Sequence, residues 1–272
     1  MSSQLAPKLA DVLVNLSGGT IAVSGGVDSL TLSSFAHLIL GSGGIRMIHA
    51  RSPAVPRAAT KRVRQFAAQE AWRLDEVDAG EFLDPRYRAN PVNRCFFCKS
   101  NLYLTLGDLS DGVLLSGTNT DDLHDYRPGL QAAKNHNVRH PFVEAGLSKD
   151  DIRALARAMG HLELSKLPSS PCLSSRIETG LVIEPDVLTL VDRVEELLTD
   201  ELAPSDVRCR VFKSGIEIQM DSQTLGDLSL ERREIIAEEI AARTELLSAA
   251  QIRFAPYQMG SAFRHGASGE DL

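Results

Sequence analysis

Thr20-Ile21-Ala22-Val23 runs directly into Ser24-Gly25-Gly26-Val27-Asp28-Ser29, and this stretch decides the fold. The β-branched run reads as a short strand. Residues 29–40 follow with apolar positions at helical spacing, and the glycines within 41–44 end that helix. Moving outward, residues 45–50 read as a second strand. Pro56 opens a helix to about Trp72, because proline suits a first helical turn. Residues 74–77 read as a third strand, 84–94 as a loop, 98–109 as a helix, and 112–116 as a buried strand. Residues 117–128 form a polar loop and 138–143 another expected strand. Ser148 caps a helix over 149–159, with Asp151 three residues on as its box partner. Strands alternating with helices predict an α/β fold, a doubly wound parallel sheet covered on both faces.

The pattern then changes. Residues 164–180 are rich in Ser and Pro. They are followed by an amphipathic helix over 185–202, a hairpin of 207–212 with 215–220, a helix over 230–247 and a strand over 251–255. The expected organisation is a nucleotide-binding domain over 1–165, a cysteine-bearing linker over 166–180, a small α/β domain over 181–257, and a frayed tail over 258–272.

The bulk properties narrow the function. The chain has 272 residues and a formal net charge of −7, which disfavours nucleic-acid partners. No apolar run approaches the roughly 18 residues that span a membrane, and residues 1–16 lack the basic-then-apolar order of a secretory signal. A cytoplasmic location is expected, with reduced thiols, so the four cysteines read as ligands, nucleophiles or core residues.

The Ser24–Ser29 turn has the chemistry of an anion cradle. Gly25 and Gly26 let the backbone turn tightly, and the first N–H groups of the helix favour a negative ligand. Ser24 and Ser29 add hydroxyl donors. Asp28 would repel a bare phosphate, and makes sense if it holds a bridging Mg²⁺. No Gly-Lys-Ser/Thr is present, so this is not a Walker loop. The plain alternative is a simple strand-to-helix turn.

Cys95 and Cys98 form Cys-x-x-Cys between Arg94 and Lys99, and Cys172 lies in a Pro/Ser loop before Arg176. Neighbouring cations favour thiolates. Three readings compete: one iron–sulfur cluster on all three thiolates, sulfur donation by Cys172 alone, or zinc on Cys95, Cys98, His136 and His140. The long gap from Cys98 to His136 weighs against zinc. Cys209, mid-strand and apart from the others, reads as a small buried hydrophobe.

The hexapeptide Ser24–Ser29 resembles the PP-loop of the ATP pyrophosphatases, a HUP-like fold also described as adenine nucleotide alpha hydrolase-like. That resemblance implies ATP cleavage between the α and β phosphates and an adenylated substrate oxygen. The segments Gly117-Thr118-Asn119-Thr120-Asp121-Asp122, Asp125-Tyr126-Arg127-Pro128-Gly129 and Glu144-Ala145-Gly146-Leu147-Ser148-Lys149 extend it. With the Asn90-Pro91 to Lys99 segment and the Cys172 loop, they are similar to the LarE family from about residue 20 to 254.

The LarE resemblance implies an ATP-dependent sulfurtransferase of nickel-pincer nucleotide biosynthesis. Its substrate is a pyridinium biscarboxylate mononucleotide, whose carboxylates become thiocarboxylates. Cofactors implied are ATP, Mg²⁺ and, from the three-cysteine pattern, a [4Fe-4S] cluster on Cys95, Cys98 and Cys172; family members with one cysteine sacrifice it to dehydroalanine. Catalytic roles fall on Cys172, Asp28 and Arg176. The resemblance also points to a ring-like homo-oligomer, with a hexamer as the expected ring. The sulfur source is not indicated.

Other candidates follow from placement. Ser52, after the second strand, sits where open α/β sheets bind ligands. Gly117, Asn119, Asp122 and Arg127 fall in the polar loop as candidate ATP contacts, and Arg127 could balance charge on departing pyrophosphate. Arg208 and Arg210 alternate on a strand and share a face, suiting a substrate phosphate or carboxylate; a solvated strand face is the plain alternative. Trp72 reads as core. Residues 71–77 lack the Leu-Gly-x-x-His turn often seen in the family, so no glycine fixes the end of that helix. Competing functions are an ATP-dependent amide-forming synthetase, a tRNA thiolase and an ATP-sensing module.

Overall fold

A computed structural model describes residues 5–110, 112–124, 128–169, 171–243 and 248–262. It divides into two units. The first holds Met1–Asp84 and Asn93–Ser170; the second holds Pro85–Val92 and Pro171–Leu272. In chain order the helices are α1 (Leu5–Asn15), α2 (Val27–Gly44), α3 (Arg57–Glu70), α4 (Pro85–Arg88), α5 (Arg94–Leu109) and α6 (Pro128–Asn135). Then come α7 (Pro141–Ala145), α8 (Lys149–Ala158), α9 (Leu162–Lys166), α10 (Pro185–Leu202), α11 (Ser222–Asp227) and α12 (Leu230–Ala241).

The first unit carries β1 (Gly19–Ala22), β2 (Ile45–Ala50), β3 (Leu74–Val77) and β4 (Leu114–Leu115) in the order β3-β2-β1-β4. Every neighbouring pair is parallel, with Gly19 opposite Ile45, Met47 opposite Leu74 and Thr20 opposite Leu114. Consecutive strand residues point to opposite faces, and the core divides accordingly. Met47 and Leu115 join one buried cluster with Leu9, Leu30, Val63 and Phe142. Ile48 and Leu114 join another with Tyr103, Leu106 and Ala132. Helices therefore cover both faces, and the doubly wound parallel sheet is observed.

Local chemistry explains most boundaries. Ser148 accepts from the Asp151 N–H, and Asp151 accepts from the Ser148 N–H, completing the box that starts α8. Ala71 adopts a left-handed conformation at φ 54° and ends α3 without a glycine, so that helix does not run on. The predicted 138–143 strand is not formed. Only an isolated bridge joins Leu115 to Arg139, because Pro141 opens α7 and Gly146 closes it in the left-handed region. Helix α5 begins at Arg94, four residues before its predicted start.

The second unit contains β5 (Val207–Phe212) and β6 (Gly215–Met220) as an antiparallel hairpin, with β7 (Ile252–Pro256) parallel to β6. Helix α10 lays Leu188, Val191, Val194 and Leu198 into its core. The excursion Pro85–Val92 is bound into this unit. Asn90 Nδ2 donates to the carbonyl of Glu178, Tyr87 Oη bonds Ser174 Oγ at 2.6 Å, and the Ile183 N–H donates to Arg88 O. Among the described residues, no helix is long and apolar enough to cross a membrane.

Candidate functional site

The first strand delivers the chain into the Ser24–Ser29 turn, and α2 leaves from it. The Ser24 N–H donates to Ser29 Oγ at 3.1 Å, and Ser29 Oγ donates to Gly26 O at 3.2 Å. Ser24 Oγ and Ser29 Oγ lie 3.1 Å apart. The two hydroxyls thus brace the turn, while the first amides of α2 have no intrahelical acceptor. Gly25 is required on two counts: its φ is +83°, and a Cβ there would meet Ala59 O at 2.6 Å. Gly117 is required by close approach, since its Cβ would sit 2.9 Å from the Ser29 nitrogen. The polar loop of 117–122 is therefore laid directly on the start of α2.

Asp28 is the chemically charged point of this junction. Lys149 Nζ donates to Asp28 Oδ2 at 2.5 Å, but Asp28 Oδ1 is buried with no hydrogen-bond partner. Burial pushes the carboxyl above its ordinary value of 3.8, and the Lys149 bond opposes that shift. A half-buried carboxylate with one unpartnered oxygen, beside the first amides of α2, has the chemistry of a divalent-cation ligand.

Two further segments hold the loop in place. Asn119, only 2% exposed, accepts from the Asp121 N–H and donates its own N–H to Asp122 Oδ2. Asp121 Oδ2 in turn accepts from the Lys149 N–H at 2.8 Å, and the Thr120 N–H donates to Leu147 O. On the other side stands α3. Arg62 Nε donates to Gly25 O at 2.8 Å. Fully buried His49 spans Val23 O and Thr60 Oγ1 at 2.7 and 2.9 Å, and burial lowers its pKa. Ser52, at the end of β2, accepts from the Ala54 N–H and bonds the buried Glu81, whose carboxyl burial raises.

Lys149, Arg62 and His49 were not among the sequence candidates. Lys149 carried a legible signal. It is the first residue of α8, where the helix dipole favours acids, so a cation there needs a reason. Arg62 and His49 carried none, because their partners, the Gly25 and Val23 carbonyls and the Thr60 hydroxyl, lie outside their own elements. Arg127, with Asp125 and Tyr126, lies outside the described residues.

The thiols are divided between the units. Cys95 and Cys98 are half-buried, one turn apart on the first turns of α5. Cys172 is exposed in the second unit, just ahead of the 3₁₀ turn Leu173–Arg176. Cys209 is fully buried on β5 and its thiol pKa is pushed far upward by burial. Zinc partners are not assembled: His136 lies against the Tyr103 ring and His140 Nδ1 bonds Ser116 Oγ at 2.8 Å. Among the described residues, no three His, Cys, Asp or Glu side chains are grouped to hold a metal ion.

Arg176 is 2% exposed and forks onto Glu195, Nε to Oε1 at 2.9 Å and Nη2 to Oε2 at 2.8 Å. Its Nη1 donates to the carbonyls of Pro171 and Cys172. The guanidinium therefore shapes the loop that presents Cys172. Arg210, also buried, donates to Gln219 Oε1, Ser175 O and Gln258 O, and burial lowers its pKa. Arg208 is half-buried over the Tyr257 ring, its guanidinium 5.5 Å from the ring centre. The two arginines share a strand face two residues apart.

No family model matches the chain. It is 36% identical over 212 residues to the uncharacterized protein slr1717 of Synechocystis, covering 75% of this chain and 77% of that protein. It is 26% identical to the pyridinium-3,5-bisthiocarboxylic acid mononucleotide synthase of Lactiplantibacillus plantarum, with 80% of each chain covered. It is 27% identical to the uncharacterized protein MJ0830 of Methanocaldococcus jannaschii, covering 79% and 82% respectively.

Proposed function

This chain belongs to the LarE family, and from that premise we propose that it is an ATP-dependent sulfurtransferase converting a substrate carboxylate to a thiocarboxylate. The Lactiplantibacillus relative is named as a synthase of pyridinium-3,5-bisthiocarboxylic acid mononucleotide, and the substrate class proposed for this chain is the corresponding pyridinium biscarboxylate mononucleotide. The observation that carries the reading is Asp28, a half-buried carboxylate within the Ser24–Ser29 turn whose Oδ1 is buried without a partner.

In this reading Asp28 would hold Mg²⁺, which when bound would supply charge neutralisation for the leaving pyrophosphate. The Ser24–Ser29 turn, Gly117 and Asn119 hold the nucleotide, with Asp122, Ser52 and Arg127 as further candidate contacts. The substrate carboxylate oxygen attacks the α-phosphorus. The α–β bridge bond breaks, giving an acyl-adenylate and pyrophosphate. Arg208 and Arg210 carry charge suited to the substrate phosphate or its second carboxylate.

Sulfur then enters from Cys172. Its thiolate attacks the acyl carbon, AMP leaves with the electron pair, and a thioester joins substrate to protein. Loss of the Cys172 Cα proton with cleavage of the Cβ–S bond releases the thiocarboxylate and leaves dehydroalanine. The exposed loop position of Cys172, braced by Arg176, favours this route. Cys95 and Cys98 belong to the first unit and Cys172 to the second, and no step is routed through a [4Fe-4S] group. The cluster on Cys95, Cys98 and Cys172 is the second reading, favoured by the shared helical face of Cys95 and Cys98.

The test incubates the chain anaerobically with Mg-ATP and the biscarboxylate mononucleotide, then measures AMP, pyrophosphate and thiocarboxylate. Protein mass is read on the same sample. A loss of about 34 Da at Cys172 marks the sacrificial route, and an unchanged mass with iron and sulfide present marks the cluster. Absence of pyrophosphate release would sink the enzyme reading altogether.

A further inference from the structure

We propose that Arg62 is the standing cation of the phosphate turn, a residue that both orients the turn and balances the charge of the β and γ phosphates. The inference rests on the reading of Ser24–Ser29 as the ATP loop. Arg62 lies on the second turn of α3, three residues after Ala59, whose carbonyl is the atom that forbids a Cβ at Gly25. The two residues share a helix face, so α3 forms the floor of the turn.

Arg62 Nε donates to Gly25 O at 2.8 Å. In a trans peptide the carbonyl and the following N–H point to opposite sides. Holding Gly25 O down on α3 therefore turns the Gly26 N–H away from the floor, toward the side on which an anion would lie. It also removes a carbonyl oxygen from the anion's surroundings, where it would repel.

The charge of Arg62 is otherwise unspent. Burial lowers its pKa and is the one cause acting on it, and no carboxylate pairs with it among the described residues. Its neighbours on α3 behave differently: Arg64 forks onto Glu76 at 2.5 and 2.8 Å. Asp28 is held by Lys149, and its charge environment comprises Lys149, Asp122 and Arg153, not Arg62. A partly desolvated guanidinium without a counter-ion is costly, and a polyphosphate on the far side of the turn would compensate it.

The experiment is calorimetric titration of the full-length chain with the Mg²⁺ complex of α,β-methylene-ATP, with AMP, and with inorganic pyrophosphate. Arg62→Met should weaken the triphosphate analogue and pyrophosphate by about tenfold or more, while AMP changes by less than about twofold. Arg62→Lys, which keeps the charge but lacks the Nε–H that holds Gly25 O, should fall between. If Arg62→Met does not fold, the same ratio is read from Arg62→Lys. Equal losses for AMP and the triphosphate would reduce Arg62 to a structural prop, and no loss would dismiss it entirely. If the wild-type chain binds none of the three, the ATP-loop reading itself fails, a result separable from both.

Discussion

Lys149 Nζ lies 2.5 Å from one oxygen of Asp28, while the other oxygen of the same carboxylate is buried with no partner. One oxygen of the carboxylate is thus satisfied by a residue 121 positions away, and the other is buried without a hydrogen bond. A carboxylate with one oxygen on an ammonium group and the other unpartnered keeps the capacity to accept one more cationic or hydrogen-bonding partner.

Asp28→Asn should separate stability from function. Its folded-state pKa is raised, so the stability tied to its protonated form is present at low pH and lost as pH rises through that raised value. At neutral pH the asparagine variant should therefore melt no lower than wild type, and wild type should gain on it as pH falls into the carboxylate range. Pyrophosphate release should drop at least ~100-fold, as when a preorganised charge-stabilising group is removed. Thermal melts across pH, paired with a pyrophosphate assay, check both halves.

Gly117→Ala should disturb the Ser24–Ser29 turn by direct contact. The new Cβ would meet the Ser29 nitrogen at 2.9 Å and the Asp28 carbonyl carbon at 3.0 Å, both backbone atoms that cannot swing aside. A cost of about 1–3 kcal/mol is expected from forced overpacking. Denaturant unfolding should show it, and the rise in Tm given by Mg-ATP should shrink in the same variant.

The Arg176–Glu195 fork should control the presentation of Cys172. Glu195→Gln leaves a buried guanidinium without its counter-charge, which costs roughly 3–5 kcal/mol in comparable buried pairs. Arg176→Lys retains charge but cannot reach Glu195 and the Pro171 and Cys172 carbonyls together. Both variants should alter the alkylation rate of Cys172. An unchanged rate in both would dissociate the fork from the loop.

Thiol reagents should discriminate among the cysteines. Cys172 is exposed and should react in the native protein. Cys209 is fully buried with its thiol pKa raised, so it should react only on unfolding. Peptide mapping after timed alkylation gives the order directly. Cys172→Ser should abolish thiocarboxylate formation yet leave nucleotide binding unchanged.

Acid should loosen the phosphate turn through histidine before it reaches most carboxylates. His49 and His140 both have pKa values lowered by burial. Their stabilising contribution is full above the ordinary histidine value of about 6.5 and is lost as pH falls below it toward the depressed folded values. His49→Gln should flatten part of that slope, measured as unfolding free energy between about pH 7 and 5.

Much of the architecture was legible because it was local. The Ser148–Asp151 box starts α8 as expected, and α10, β5 and β6 fall on their predicted residues. Each depends on neighbours within a few positions, through caps, periodicity or a tight turn. Helix α11 was missed: six residues with no buried side chain leave no apolar period to read. The 138–143 segment misled for the opposite reason. Its β-branched and aromatic residues suggested a strand, while Pro141 and Gly146 overrode them.

Short-range geometry and side-chain identity set the Ser24–Ser29 turn and the alternation of parallel strands and helices around it, so both could be read from the chain alone. Only the tertiary structure decided which partners those residues take. Lys149 on Asp28, Arg62 on the Gly25 carbonyl, Glu195 on Arg176, and the capture of residues 85–92 by the second unit all join positions far apart in the chain. Such pairings are set by where whole elements settle to bury apolar surface, and no local pattern encodes that.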